Sequence, residues 1–147
     1  MRHVVPLLVT VLSLAAAPEA LAACKKPLGK YAGSFSEKQY SRSTKALTNS
    51  MNGVMSVTFN SNGSGNFTLR QMASLGGTAT VTTTGSFTAA NHSFTGATCS
   101  GFIGSAFGQP VRPMYYTASR DGSVVTYVLD SGGSHGFSDT SGRLELQ

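Results

Sequence analysis

The side chains best placed to support catalysis lie close together in residues 131–141, a segment rich in Gly and Ser. They are Ser131, Ser134, His135, Ser138 and Asp139. Together they include a hydroxyl nucleophile, an imidazole base and a carboxylate that could orient the base. However, this segment is predicted to be a loop, which would not hold three groups rigidly, and no strand-to-helix nucleophile elbow is expected there. We therefore expect no catalytic residues and a protein that is not an enzyme.

Metal and cofactor chemistry has equally little support. The side chains that could bind a metal are His92, His135, Asp130 and Asp139, and their spacing follows no known ligand pattern. The chain also lacks a phosphate-binding loop and a dinucleotide fingerprint. The sequence therefore predicts neither a metal site nor a cofactor.

Basic residues are concentrated between residues 25 and 45, a segment that contains a single acid, Glu37. This basic patch consists of Lys25, Lys26, Lys30, Lys38, Arg42 and Lys45, and it accounts for the net charge of +5. Such a patch attracts anions, and salt weakens that attraction. The alternative interpretation is a solubilising edge strand and loop, in which lysines discourage edge-to-edge pairing.

Three tyrosines and two arginines are the candidates for ligand binding. Tyr115 and Tyr116 are adjacent, so on a strand one points into the core and the other outward or toward a barrel mouth. Arg112 and Arg120 flank the pair, and Tyr31 lies in the first strand-like run. These five residues are predicted to contact a ligand, although the exposed tyrosine would also suit an ordinary edge contact.

The first 23 residues have the features of a secretory signal peptide. A short positive start is followed by an apolar run at 4–17, which is too short to span a bilayer, and by the small residues of Ala20-Leu21-Ala22. We expect cleavage near Ala23 and an exported protein, periplasmic or secreted. Residues 24–147 then form a single domain.

Cys24 and Cys99 are the two cysteines. In an oxidising compartment a disulfide between them is expected, and it would tie the mature N-terminus to a distant strand. The competing interpretation is a lipobox at residues 21–24. In that case a lipid on Cys24 would anchor the protein to the outer membrane and Cys99 would remain free.

The mature chain contains short strand-like runs separated by turn signals, and no sustained amphipathic helix. The eight runs are 29–35, 53–59, 66–71, 78–87, 93–103, 111–120, 123–130 and 142–146. Asn62-Gly63 and Asp121-Gly122 are typical of hairpin turns, whereas residues 36–52 are predicted to be a long polar loop. The result is an all-β chain, an antiparallel up-and-down barrel of about eight strands, with a β-sandwich as the alternative.

Alternation along these runs also predicts which side chains face inward. The set is Tyr31, Phe35, Met55, Val57, Phe59, Phe67, Leu69, Ala79, Val81, Val125, Tyr127, Leu129, Leu144 and Leu146. A barrel of this size either fills with side chains or encloses one small ligand. The sequence leaves both possibilities open.

Residues 24–31, Cys-Lys-Lys-Pro-Leu-Gly-Lys-Tyr, resemble the opening strand of the calycin barrels of avidin and lipocalin type. Residues 94–99, Phe-Thr-Gly-Ala-Thr-Cys, are similar to the avidin strand that carries the second disulfide cysteine. The resemblance implies a small closed barrel and the Cys24–Cys99 pair. It does not extend to biotin binding, because Tyr31 replaces the expected Trp and the chain contains no Trp.

These features favour an exported, non-enzymatic binding module of the bacterial envelope, with a small molecule or an anionic envelope component as its ligand. A second hypothesis is a secreted enzyme inhibitor or protein-interaction factor, with the loops at 36–52 or 131–141 contacting a protein partner. A third is a lipid-anchored structural envelope protein. No specific nucleic-acid partner is expected, and membrane contact is expected only if Cys24 is lipidated.

Overall fold

The computed structural model describes residues 22–73, 80–107, 112–130 and 136–147. Nine antiparallel strands form one sheet, with a single 3₁₀ turn at Ala89–Asn91. The strands are β1 (Gly29–Ser41), β2 (Leu47–Phe59), β3 (Gly65–Ala73), β4 (Thr80–Phe87), β5 (His92–Thr95), β6 (Ser100–Phe107), β7 (Arg112–Ala118), β8 (Val124–Leu129) and β9 (Gly136–Leu146). Within these residues no helix has the length and apolarity needed to cross a membrane.

The strands follow an up-and-down order that confirms the predicted fold class. The first and last strands, β1 and β9, pair with each other, so that β4 and β5 are the two ends of the sheet. The sheet curls until β4 lies against β6. Since β4 and β5 run in the same direction on either side of the 3₁₀ turn, they act as one interrupted strand of a barrel-like fold.

Three elements differ from the sequence-based prediction. The run at 93–103 is a hairpin, because the chain reverses at residues 96–99 and Cys99 adopts a left-handed φ of 56°. The long loop predicted at 36–52 is wrong. Both β1 and β2 extend through it, and only residues 42–46 connect them. The loop predicted at 131–141 is wrong from Gly136 onward, where β9 begins. Several inward positions on the extensions of β1 and β2, among them Glu37, Gln39 and Asn49, are polar, which hides the usual alternation of apolar and polar residues.

The two ends of the barrel differ, and we name them by their connections. The base carries the turns at 60–64, 96–99 and 119–123, together with the arm formed by residues 22–28. At the opposite end, the mouth, lie the turn at 42–46, the last residues of β3, β6 and β8, and the first residues of β4, β7 and β9. The arm crosses the base, where Cys24 N donates to Gly96 O and Lys25 N to Arg120 O, both at 2.9 Å.

Alternation correctly identified most of the core. Eleven of the predicted inward residues are buried: Tyr31, Phe35, Met55, Val57, Phe59, Phe67, Leu69, Val125, Tyr127, Leu129 and Leu144. Leu146 was predicted wrongly. It is 47 % exposed because it is the last residue of the final strand. Ala79 and the side chain of Val81 lie outside the described part of the structure.

Glycines face large aromatic side chains on neighbouring strands, which lets those rings lie flat inside a small barrel. Gly101 is paired with Tyr116, Gly142 with Tyr127, and Gly65 with Phe87. A Cβ added at Gly101 or Gly142 would overlap the facing tyrosine. Such pairs fill the interior by setting a large side chain against a small one.

Gly101→Ala is therefore expected to destabilise the protein by about 1–3 kcal/mol, because the Tyr116 ring must move out of a packed position. Urea denaturation measures the loss. The control is Gly104→Ala, whose Cβ would meet no described atom closer than 3.3 Å, the edge of the Phe102 side chain. Equal effects from the two substitutions would contradict this account of the packing.

Candidate functional site

Arg112 is the centre of a polar network inside the mouth of the barrel. It points inward from β7, since Met114 and Tyr116, its alternate neighbours, are buried. Its Nη2 donates to Ser138 Oγ at 2.8 Å and to Thr140 Oγ1 at 2.6 Å. Its Nε donates to the backbone oxygen of Asp130, just after the end of β8, at 2.9 Å. One guanidinium thus holds two strand ends at the rim.

The positive charge of Arg112 is balanced within the network. Its Nη1 lies 3.0 Å from Oε2 of Glu37, whose side chain is only 3 % exposed. The other carboxylate oxygen of Glu37 accepts from Gln39 Nε2 at 2.9 Å, and Gln39 in turn accepts from Asn49. Among the described residues, no buried side-chain N or O atom lacks a partner. The network is therefore electrically neutral and fully hydrogen-bonded.

A groove of about 420 Å³ lies at the rim on the outer side of this network, and we call it the rim groove. Its lining includes Tyr115, Val128, Asp130, Ser138, Asp139 and Thr140. Its volume falls within the range of small-molecule sites, roughly 300–1,000 Å³. Three of these residues, Asp130, Ser138 and Thr140, also accept hydrogen bonds from Arg112. The network therefore fixes part of the groove wall.

Beside the groove, an apolar row crosses the outer face of the sheet. Phe102, Tyr115 and Val128 are cross-strand neighbours, and the rings of Phe102 and Tyr115 have centroids 4.9 Å apart. Tyr115 is 49 % exposed and Val128 51 %. The prediction that the adjacent tyrosines face opposite ways is confirmed, because Tyr116 is buried.

At the base, His92 joins three aromatic side chains in a buried cluster. Its ring centroid lies 5.5 Å from that of Phe59, 5.5 Å from that of Phe87 and 6.0 Å from that of Tyr116. Nδ1 lies 2.8 Å from Gly63 O, and Nε2 lies 2.7 Å from the Tyr116 hydroxyl. Because a carbonyl can only accept, Nδ1 carries the proton and Nε2 accepts from Tyr116. The neutral imidazole links the turn at 60–64 to β7.

Burial lowers the pKa of His92 below its usual 6.5, and the nearby Lys26 adds to this effect, while the bond to Gly63 opposes it. The unfolded chain therefore binds a proton more readily than the folded one. The contribution of His92 to the free energy of unfolding is fully present above pH 6.5. It should be lost as the pH drops through the pKa of the folded state.

We expect urea titrations to show this loss as the pH is lowered below 6.5. His92→Gln should remove the slope in this range, whereas His135→Gln, the matched control, should keep it. Titration of Asp121 does not interfere. Hydrogen bonds from Ser119 and Ser123 hold its pKa at about 2. A slope that survives in the His92 variant would contradict this assignment.

The five candidate ligand-binding residues do not form one cluster. Arg112 lies at the mouth, whereas Arg120 lies in an exposed turn at the base, beyond the end of a strand that is roughly 20 Å long. Tyr31 and Tyr116 are buried toward the base, where the Tyr31 hydroxyl donates to Gly122 O. Tyr115 is the one that shares the mouth with Arg112 by lining the rim groove.

The basic patch is likewise divided along β1. Lys25, Lys26 and Lys30 lie at the base, while Lys38, Arg42 and Lys45 lie at the mouth. Between Lys30 and Lys38 the strand extends roughly 26 Å, about three Debye lengths at physiological salt. The two groups therefore act as separate positive regions.

Cys24 and Cys99 form a disulfide at the base, with Cα atoms 5.2 Å apart. The bond joins the arm at 22–28 to the β5–β6 turn. Its sulfur atoms are not available for other bonds while it is intact.

The Ser/His/Asp group is not brought together within the described residues. Ser131, Ser134 and His135 lie outside them, as do residues 1–21 of the expected signal peptide. Residues 132–136 match the pattern G-x-S-x-G in the sequence. However, Gly136 begins strand β9 and not a helix. Nucleophile elbows require a helix at that point. The described residues also contain no cluster of three potential metal ligands.

Sequence reasoning missed the network around Arg112. It predicts a loop at 36–52, which contains Glu37 and its partner Gln39, and a loop at 131–141, which contains Thr140. A usable signal was present. Glu37 and Gln39 continue the odd-numbered spacing of Tyr31 and Phe35, which indicates that β1 extends past Phe35 with polar groups facing inward.

Together the fold and the site define a small, antiparallel, barrel-like β protein with a closed base and a polar mouth. Comparison with protein-family models, with curated proteins and with solved structures finds no match to this chain. Its function must therefore be argued from its own geometry.

Proposed function

We propose that this protein is an exported, non-enzymatic binding module that takes its ligand at the mouth of the barrel. The ligand is a small molecule or an anionic envelope component. One observation carries the proposal. Arg112 fixes two strand ends and the wall of an open groove through three hydrogen bonds at the mouth, and a fourth joins it to Glu37. Binding sites combine a concave surface with a few polar groups held in place, which this arrangement provides.

The contrast between the two ends supports the choice of the mouth. The base is covered by the arm at 22–28, the disulfide and the aromatic cluster around His92. A ligand would have to displace packed side chains there. At the mouth it meets polar groups that rigid strands already orient, so that little conformational freedom is lost on binding.

Intact-mass spectrometry of the protein purified from its native host tests the proposal first. Spectra recorded under native conditions show any ligand that copurifies with the protein. Titration of the ligand-free protein at low salt with neutral, anionic and cationic probes then follows. We expect binding that perturbs residues at the mouth and leaves the base unchanged. Absence of a copurified ligand and of binding to every probe would overturn the proposal.

The same spectrum separates a soluble exported protein from a lipid-anchored structural one. A chain that begins near Ala23 and is two hydrogen masses lighter than its reduced form carries the disulfide. A chain that begins at Cys24 with added acyl groups is lipidated. The two forms exclude each other, because the sulfur of Cys24 cannot bond to Cys99 and to a lipid. The short Cα separation of the two cysteines favours the disulfide form.

A protein-interaction or inhibitor role is the second candidate, and the apolar row supports it. The centres of protein interfaces are enriched in aromatic residues and depleted in charged ones, and this row, in which Tyr115 and Val128 are exposed, has that composition. Tyr115→Ser/Val128→Ser should then reduce capture of a partner from envelope extracts, while Val54→Ser, on another part of the outer face, should not. Equal capture by all forms would count against this role.

A further inference from the structure

The rim groove combines two kinds of chemical group. Tyr115 offers an aromatic surface that is half exposed, and Asp130 and Asp139 line the groove with carboxylates. Ser138 also lines the groove, but its hydroxyl is turned inward to Arg112 and belongs to the wall. The groove thus offers an apolar flat face and strong acceptors within one open site.

We propose that the rim groove binds a neutral sugar ring, an inference that rests on the proposed function and specifies its ligand class. A pyranose has an apolar face of C–H groups, which matches the exposed ring of Tyr115. Its hydroxyls can donate to the carboxylates of Asp130 and Asp139. Hydrogen bonds to charged acceptors are stronger than neutral ones, which favours hydroxyl ligands here.

The charges around the groove argue against an anionic ligand. Two carboxylates line it, and the charge of Arg112 is already matched by Glu37. An anion therefore gains no unmatched positive charge in the lining of the groove. A cation gains little either, because Lys38 is the cross-strand neighbour of Asp139 and both are exposed. A neutral ligand avoids both penalties.

Arg112 acts on this site as a positioning residue. It does not line the groove, but it holds Ser138, Thr140 and the Asp130 backbone, all of which do. The groove wall is built from two strands joined by residues 131–135, so a fixed point between them preserves its width.

Three probes with the same ring and different charge test this inference on the mature, disulfide-bonded protein: glucose, glucuronate and glucosamine. Two-dimensional ¹H–¹⁵N NMR spectra are recorded at millimolar probe concentrations, at a pH where the amine is protonated. We expect glucose to shift the amides of residues 115, 128 and 138–141 and to bind more tightly than glucuronate. Added salt should leave glucose binding unchanged.

Two substitutions at one exposed position provide the matched test. Tyr115→Phe keeps the aromatic face and should keep glucose binding, whereas Tyr115→Ala should weaken it about tenfold. Asp139→Asn should also weaken it, because a charged acceptor becomes neutral. Val54→Ala, which removes an exposed side chain away from the groove, should have no effect.

The outcomes separate this inference from the proposed function. Tighter binding of glucuronate or glucosamine at the groove would overturn the neutral-sugar assignment and leave a binding module. Glucose shifts that persist in Tyr115→Ala would overturn the assigned groove. If none of the three sugars shifts the spectrum, the sugar subsite is wrong, while the proposed function fails only when no copurified ligand and no other probe binds.

Discussion

Replacing Arg112 with Met is expected to lower the free energy of unfolding by about 3 kcal/mol, the lower end of the range for breaking a buried ion pair. The substitution leaves the carboxylate of Glu37 inside the mouth, where Gln39 Nε2 still donates to it. A carboxylate that is 3 % exposed cannot recover its lost hydration. Urea denaturation at pH 7 measures the effect.

The two single substitutions should differ in size. Glu37→Gln leaves a positive charge on Arg112, but this side chain is 17 % exposed and keeps its bonds to Ser138, Thr140 and Asp130. It is therefore expected to cost less than Arg112→Met. The reverse order would mean that Arg112, and not Glu37, is the charge that depends on the pair.

The double variant Arg112→Met/Glu37→Leu is the control for the pair itself. Since neither charge of the buried pair remains, stability should return to within about 1 kcal/mol of the wild type. We expect this stable variant to lose ligand binding at the rim groove, because the hydroxyls and the Asp130 backbone are no longer held. A variant that is both stable and fully able to bind would remove the positioning role of Arg112.

How far the sequence predicts this protein depends on where apolar alternation is visible. In the halves of β1 and β2 nearest the base, Tyr31, Met55 and Val57 alternate with exposed or half-buried residues. The core was correctly predicted there. Near the mouth, Glu37 and Gln39 occupy inward positions, so period-2 spacing carries no hydrophobic signal. Their burial is compensated by Arg112, which is 75 residues away from Glu37 in the chain.

The base shows the same limit for contacts between distant residues. The hairpin signal Asn62-Gly63 was visible, and the structure has a turn there with Gly63 at a φ of 87°. That this turn would receive His92 was not visible, because the two are 29 residues apart and neither has a local reason to meet the other. Local patterns predict strands and turns, whereas long-range polar pairs depend on strand register.

Loss of the disulfide is expected to have the largest single effect on stability. Cys24 and Cys99 are separated by 75 residues, and closing a loop of that length stabilises the folded state by about 4 kcal/mol in the chain-entropy model. Cys24→Ser/Cys99→Ser should therefore unfold at much lower urea concentration. The N–H groups of Cys24 and Lys25, bonded to Gly96 and Arg120, should lose hydrogen-exchange protection first.

A second variant separates the cross-link from backbone strain. Cys99 has a φ of 56°, a conformation that costs a residue with a side chain more than it costs glycine. Cys24→Ser/Cys99→Gly should therefore be slightly more stable than the double serine variant, and both should remain well below the wild type. A loss under about 1 kcal/mol in either variant would show that the arm is held by its hydrogen bonds and by burial of Pro27 alone. Because the disulfide and the rim groove lie at opposite ends of the barrel, ligand binding at the mouth should be unchanged as long as the variant remains folded.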